Sequence, residues 1–352
     1  MRSTGTHRIL FLHSELAGYV RACFNELSEH QTVQAVQVIH WPVSPEAPFN
    51  FKSKSDVKFT EKLGGGSRWL KAEVACFNPT AIITSGWMDA DYNAIAWEWS
   101  NVTPVILTFD NWWHGDIKQR IASFLSPLFI KRRFNRLWVP GAPQLPYAKR
   151  LGFASDSIAT GYYCADHKQF DLIHHKRSKS LAKKRKRLLF VGRYQGIKGL
   201  PQLWSAFINL NHQHPEWELH CVGTGDLWET RSIHRDIIHH GFKQPHELAD
   251  VITEADAFIL PSTFEPWGVV LHEMAIAGLP ILCSNRVGSA TEFLVPLQNG
   301  FDFSPNEKSI SRALEKLYRL TENELQSYGE CSRNLGLKRT PSHWVNTLLQ
   351  QL

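Results

Sequence analysis

The sequence predicts an α/β fold made of two Rossmann-like domains, and three observations carry that expectation. Short apolar runs of strand length alternate with helical patterns through both halves of the chain. A length of 352 residues exceeds one ordinary core and fits two domains. A basic, poorly periodic stretch, HKQFDLIHHKRSKSLAKKRKR, separates the two alternating sets. The expected layout is a domain at 1–165, a basic linker at 166–187, a domain at 188–338, and a terminal helix at 339–352 whose apolar face suits docking on a neighbouring domain.

In the first half, strands are expected at 8–13, 33–39, 81–85, 104–109, 136–139 and 157–160. Helical patterns fall between most of them, at 16–29, 67–77, 91–100, 116–134 and 144–151. Strands separated by helices imply right-handed βαβ units and a parallel sheet. The segment MRSTGTHRILFLHSE reads as a first strand rather than a signal peptide. Residues 41–62, polar and rich in Lys and Pro, read as a variable loop or hairpin. In the second half, strands are expected at 188–191, 218–222, 237–241, 257–260 and 281–283, with helices at 200–212, 245–255, 269–277 and 308–318. The closing RTPSHWVNTLLQQL starts a helix at Thr340-Pro341 and places Trp344, Leu348 and Leu349 on one face.

Composition narrows the class. Hydrophobic content of 43% with 20% charged residues describes a soluble globular protein, and no apolar run approaches the ~20 residues of a spanning helix. Six scattered cysteines without a CxxC pair read as reduced thiols of a cytoplasmic protein. A net charge of +6 permits an anionic ligand or membrane surface and requires neither.

The densest chemistry lies in DAFILPSTFEPWGVVLHEMAIAGLP, residues 256–280. A short strand is followed by a turn-rich loop holding Glu265, Pro266, Trp267 and Gly268, then by a helix that Gly278 stops. A loop at the carboxyl end of a strand feeding a helix is where open α/β sheets bind ligands, and the first helical amides attract an anion. Glu273 shares a face with the Val269–Val270 turn, and Glu265 precedes it. Alone, two solvated glutamates explain these letters as well.

Three further turns follow strands of the second half. FVGRYQGIKGL has Gly192 after the strand and two cations, Arg193 and Lys198, five residues apart. Such a pair can clamp a diphosphate and neutralise a departing one, although two solvated charges on a glycine turn read the same. CVGTGDLWE places Gly223 and Gly225 after the next strand, and HHGFKQPHEL places Phe242 where it can face a nucleobase or cap a core.

Together the VGR–x4–KG start, the GTG turn, the GF turn and the Glu–x7–Glu unit EPWGVVLHE resemble the nucleotide-sugar half of the family 4 (group 1) glycosyltransferases. SNRVGSATEFLVPLQNGF and the closing SHW helix continue the resemblance, which implies that the helix at 339–352 crosses back to pack on the first domain. The match covers 188–352 well and the first half in layout alone. The resemblance implies a GT-B fold with two domains facing a cleft, a retaining transfer, a nucleotide-diphosphate sugar donor and no metal. Carried onto this chain, Arg193 and Lys198 hold the diphosphate. Glu265 with the Gly268, Val269 and Val270 amides holds sugar and phosphate, and Glu273 binds the ribose. Gly18, the sole glycine of HSELAGYV, stands where the family has a glycine-rich loop. Asp110 of VILTFDNWWHG stands where the family tends to have a histidine, and His114 follows four residues on. Either can orient the sugar or meet the acceptor.

Trp87, Trp97, Trp99, Trp112 and Trp113 read as core residues or as sugar-stacking faces. Residues 116–134 combine Lys118, Arg120, Lys131, Arg132 and Arg133 with an apolar face of Ile121, Phe124, Leu125, Leu128 and Phe129. That pattern suits either an anionic lipid surface or a solvated helix over a core. The His174-His175 and His239-His240 pairs lack metal-site spacing and read as surface histidines. Neither GxxxxGK[ST] nor a GxGxxG after the first strand occurs, which argues against P-loop and nicotinamide chemistry.

The activity that the resemblance implies is transfer of a sugar from a UDP- or GDP-type donor to a saccharide or glycolipid acceptor in bacterial envelope polysaccharide or lipopolysaccharide synthesis. The expected setting is cytoplasmic, with or without peripheral contact at the inner membrane face, and nucleic acid is not a partner. The alternatives are a GT-B nucleotide-sugar epimerase and a non-catalytic sugar-nucleotide-binding protein.

Overall fold

The computed structural model describes residues 6–16, 18–42, 56–62, 66–177 and 185–352. They form two compact units, one of 1–164 with 340–352 and one of 165–339.

The first unit alternates β1 (His7–His13), α1 (Val20–Ser28), β2 (Val33–His40), β3 (Val57–Glu61), α2 (Gly66–Phe77), β4 (Ala81–Ser85), α3 (Ala90–Trp99), β5 (Val105–Thr108), α4 (Ile117–Phe129), β6 (Arg136–Val139), α5 (Leu145–Arg150) and β7 (Ile158–Thr160). The sheet order is β3-β2-β1-β4-β5-β6-β7, and every ladder is parallel. Ile9, Leu10, Phe11 and Leu12 of β1 are all buried because helices cover both faces of the sheet. Leu10 and Leu12 join one core cluster, and Ile9 and Phe11 join the other.

One expectation fails here. Residues 57–61 are not a loop or hairpin but an edge strand pairing parallel with β2. An edge strand has one neighbour and is half-exposed, so its apolar signal is weak. Residues 43–55 lie outside the described residues.

The second unit runs α6 (His167–Arg177), β8 (Lys186–Val191), α7 (Leu200–Asn211), β9 (Trp217–Val222), β10 (Ile237–His239), α8 (Pro245–Thr253), β11 (Ala257–Leu260), α9 (Val269–Ile276), β12 (Ile281–Ser284), α10 (Ala290–Phe293), β13 (Gly300–Phe303), α11 (Glu307–Tyr318) and α12 (Glu322–Gly336). Its parallel sheet has the order β10-β9-β8-β11-β12-β13. Chain order reverses between β8 and β11, which is the topological switch point.

The expected basic linker divides differently. Residues 167–177 form α6, a helix of the second unit, while 178–184 lie outside the described residues. The basic cluster His174, His175, Lys176 and Arg177 is the last turn of α6, where cations complement the carbonyl end of the helix. Arg177 also donates to the Ile252 carbonyl at 3.1 Å.

The chain ends in α13 (Pro341–Leu349), which belongs to the first unit. Thr340 caps it by accepting the His343 N–H at 3.2 Å. Trp344 packs against Phe11, Phe24 and Trp138, and its indole N–H donates to the Tyr162 carbonyl at 2.6 Å.

Candidate active site

The loops leaving β8 and β11 diverge at the switch point of the second unit and are locked together by backbone contacts. Gly199 has φ +69°, and a Cβ there would run into the Pro261 carbonyl oxygen. The Thr263 N–H donates to the Ile197 carbonyl at 2.8 Å, and the Thr263 hydroxyl reaches the same oxygen at 3.1 Å. This close approach sets Lys198 opposite Glu265. The two side chains form an ion pair, both mostly buried, and the Ser262 hydroxyl donates to the same carboxylate oxygen at 3.4 Å.

Glu265 is itself held from a third loop. Its N–H donates to the Arg286 carbonyl at 2.9 Å, and its carbonyl accepts the Gly288 N–H at 3.0 Å. A Cβ on Gly288 would collide with the Pro266 carbonyl, so that position tolerates only glycine. The Glu265 side chain also lies against Gly268, which caps α9 with φ +87°. The ion pair therefore stands beside the start of α9, where the Val269 and Val270 amides have no partner within the helix. Burial and the Glu265 and Asp302 carboxylates push the Cys283 thiol well above its usual range, so this thiol beside the pair stays protonated.

One turn along α9, Glu273 is half-buried, and burial together with the Asp166 carboxylate pushes its carboxyl up to about 7. The preceding His272 is inert by construction. Its Nδ1 accepts the Ala165 N–H at 3.1 Å, its Nε2 donates to the Gly336 carbonyl at 2.8 Å, and its ring stacks on Phe293. Burial lowers its pKa to about 3.

The remaining loops of this sheet edge interlock in the same way. Gly223, at φ +132°, lies where a Cβ would enter the Gly192 carbonyl, and its N–H donates to the Gly241 carbonyl at 2.8 Å. Arg193 follows Gly192 and Phe242 follows Gly241, both half-buried. Lys198, Glu265, Gly268 and the first turn of α9 are thus brought into contact, with Glu273 one turn on. Gly192, Arg193, Gly223 and Phe242 occupy neighbouring loops of the same edge. Sequence reasoning gave Gly199 a tight turn without its contact on Pro261, and it missed Ser262 and Gly288 as parts of this arrangement. The only signal for those two was small residues in PST and RVGS.

The His239-His240 pair is not a surface pair. His239 meets the Tyr194 hydroxyl at 2.8 Å and the Ser232 carbonyl at 2.9 Å. His240 meets His220 at 3.0 Å, and burial with His220 nearby lowers its pKa to about 4.

In the first unit, Asp110 follows β5, accepts from the Tyr163 hydroxyl at 3.2 Å, and gives its carbonyl to Gln144 at 2.9 Å. His114 is exposed, and its backbone is stapled by Gln119, whose amide oxygen accepts the His114 and Gly115 N–H groups at 2.7 and 3.0 Å. Gly18 lies in the loop after β1, where its carbonyl accepts the Arg21 N–H at 3.4 Å. Trp87 and Trp113 pack with Tyr147, and Trp99 joins the same core, whereas Trp97 is exposed.

Comparison with known proteins is consistent with this architecture. Residues 173–334 match the model described as glycosyl transferases group 1. Glycogen synthase of Mycobacterium tuberculosis is 32% identical over 127 residues, 34% of this chain and 30% of that protein. The chain thus matches under a third of that relative's length. Sucrose-phosphate synthase of Thermosynechococcus elongatus superposes with a TM-score of 0.74 at 18% identity, covering 97% of this chain and 96% of that one. Anabaena HepE in complex with UDP-glucose superposes with a TM-score of 0.72 at 14% identity, covering 98% and 99%. The fold is that of GT-B glycosyltransferases. The stretch that matches the glycosyl transferases group 1 model, just under half of the chain, is the one that carries Lys198, Glu265 and Glu273.

Proposed function

We propose that the protein is a retaining glycosyltransferase moving a sugar from a UDP- or GDP-type donor to a saccharide or glycolipid acceptor. The observation that carries this reading is the Lys198–Glu265 ion pair at the start of α9. An ordered ammonium beside unpaired helix amides favours a diphosphate and can neutralise it as it leaves. The carboxylate of Glu265 accepts from sugar hydroxyls, and that of Glu273 from the ribose. Glu265 acts as an orienting and charge-stabilising group, with attack and departure on one face of the sugar. Arg193 supplies the second cation, so the transfer proceeds without a metal.

HepE, a protein of the same fold, is described in complex with UDP-glucose, which favours a UDP donor here. Asp110 and His114 of the first unit are assigned to the acceptor, with Asp110 already held by Tyr163. The six cysteines are free, which supports a cytoplasmic setting. Envelope polysaccharide or lipopolysaccharide synthesis is the product class we infer from the family resemblance.

Thermal-shift screening against UDP-, GDP- and ADP-sugars identifies the donor, because a ligand of the folded state raises apparent stability. With that donor, Lys198→Ala and Glu265→Ala are each expected to lower turnover roughly 10²-fold. Unchanged kinetics in both variants rejects the assignment. So does activity abolished by EDTA and restored by Mn²⁺. Turnover of the donor without acceptor points to an epimerase, and binding without turnover points to a sugar-nucleotide-binding protein.

A further inference from the structure

The polarity of α4 is inverted. At about 100° per residue, Ile117, Ile121, Phe124 and Leu128 fall within about 60° of one another, with Gln119 and Ser126 on the opposite side. An ordinary surface helix turns such a stripe inward. Here the stripe faces solvent, with Ile117 at 76%, Ile121 at 53%, Phe124 at 82% and Leu128 at 53% exposure. The polar side is the buried one. Gln119 holds the 112–115 backbone through its side-chain amide, and the Ser126 hydroxyl donates to the Leu151 carbonyl at 2.7 Å. The fold thus spends two satisfied polar groups on anchoring the helix with its apolar side out.

Charge selects what meets that side. Residues 117–136 contain six Lys and Arg and no carboxylate. Lys118 and Arg120 flank the stripe on its two sides, and Lys131 and Arg132 are exposed just beyond its end. A second copy docking symmetrically would set these cations against themselves. A sheet of phosphates over an apolar interior accepts both features at once.

We propose that α4 is a membrane-docking helix, lying in the interface of an anionic phospholipid bilayer with its stripe in the acyl boundary and its cations at the headgroup phosphates. This goes beyond the transferase reading and does not rest on it. Among the described residues no helix is long and apolar enough to cross a membrane, and α4 has the 13 residues of a helix that lies on one.

The test is co-sedimentation of the full chain with vesicles of phosphatidylglycerol mixed into phosphatidylcholine, and with vesicles of phosphatidylcholine alone. Association with the anionic vesicles that weakens in high salt is expected. Phe124→Ser with Leu128→Ser is expected to lower partitioning by at least roughly tenfold. These side chains are exposed, so the far-UV spectrum and melting temperature stay unchanged. Lys118→Glu with Arg132→Glu is expected to abolish the preference for anionic vesicles while leaving the melting temperature unchanged. The proposal is overturned if the chain ignores both vesicle types, if the serine variant binds as well as the parent, or if the chain is a dimer that the serine variant converts to a monomer without any vesicle binding.

Discussion

Lys198 and Glu265 stand 67 positions apart in sequence, yet their contact rests on a glycine that carries no chemistry. Gly199 is left-handed and pressed on the Pro261 carbonyl, whereas Gly196, three residues earlier, has open space where a Cβ would go. Gly199→Ala is therefore expected to cost about 1–3 kcal/mol or more in urea unfolding and to part the ion pair, while Gly196→Ala stays within about 0.5 kcal/mol. Equal behaviour of the two variants would show that the loops do not depend on that approach. Glu273 gives a second prediction at this scale. Its carboxyl titrates near 7 when no ligand is bound, and the ionised form is the stronger acceptor for a pair of ribose hydroxyls. Donor KM is expected to rise as pH falls below about 7, and Glu273→Gln is expected to flatten that profile. A nucleotide sugar has no titrating group of its own in this window, so an unaltered profile in the variant would remove Glu273 from the donor site. Burial of Glu273 also costs stability as pH rises from 4.5 toward 7, since the unfolded chain releases that proton first.

At the scale of the element, α9 starts beside the Lys198–Glu265 pair while its body is locked in the core. Among its residues, Leu271, Met274, Ala275 and Ile276 are fully buried, so one element gives both rigidity and chemistry. His272 ties it to residue 165 and to the end of α12 through its neutral ring. Unfolded, this imidazole takes a proton near 6.5, and folded it does so only near 3. Between those values the unfolded chain binds more protons, so the stability contribution is full above 6.5 and falls away as pH drops toward 3. The whole shift corresponds to about 4–5 kcal/mol as an upper figure. His13 and His240 titrate in the same direction, so the measurement is a difference. The urea midpoint of the parent is expected to fall further between pH 7.5 and pH 5 than that of His272→Gln, and parallel curves would contradict the assignment.

At the scale of the molecule, both sheets are parallel and both reverse strand order once, which is why the loops after β8 and β11 diverge at one carboxyl edge. The first unit is closed by the far end of the chain, since α13 fills the pocket between α1 and the buried rings of Phe11, Phe24 and Trp138. Trp344→Ala removes that filling and leaves the Tyr162 carbonyl without its indole donor. A loss of about 3–5 kcal/mol in unfolding free energy is expected. A melting curve indistinguishable from the parent's would mean that the first unit does not depend on its C-terminal helix.

By itself the sequence determined the alternation of strand and helix and the two Rossmann-like domains, and it singled out the glutamates and cations of the second half as candidates. These are local signals, since apolar periodicity and the spacing of EPWGVVLHE and GRYQGIK are complete within short windows. Only the tertiary structure decided the rest, because it depends on groups distant in sequence. Val57–Glu61 becomes a strand by pairing with β2, and 167–177 becomes a helix by packing in the second unit. Glu265 meets Lys198 because Gly199 and Gly288 let three backbones touch. The same holds for α4, whose stripe of Ile and Phe fits a core face or a lipid surface equally in one dimension and faces outward in three. Periodicity shows that a helix has two sides, and only its buried hydrogen bonds show which side the fold has kept.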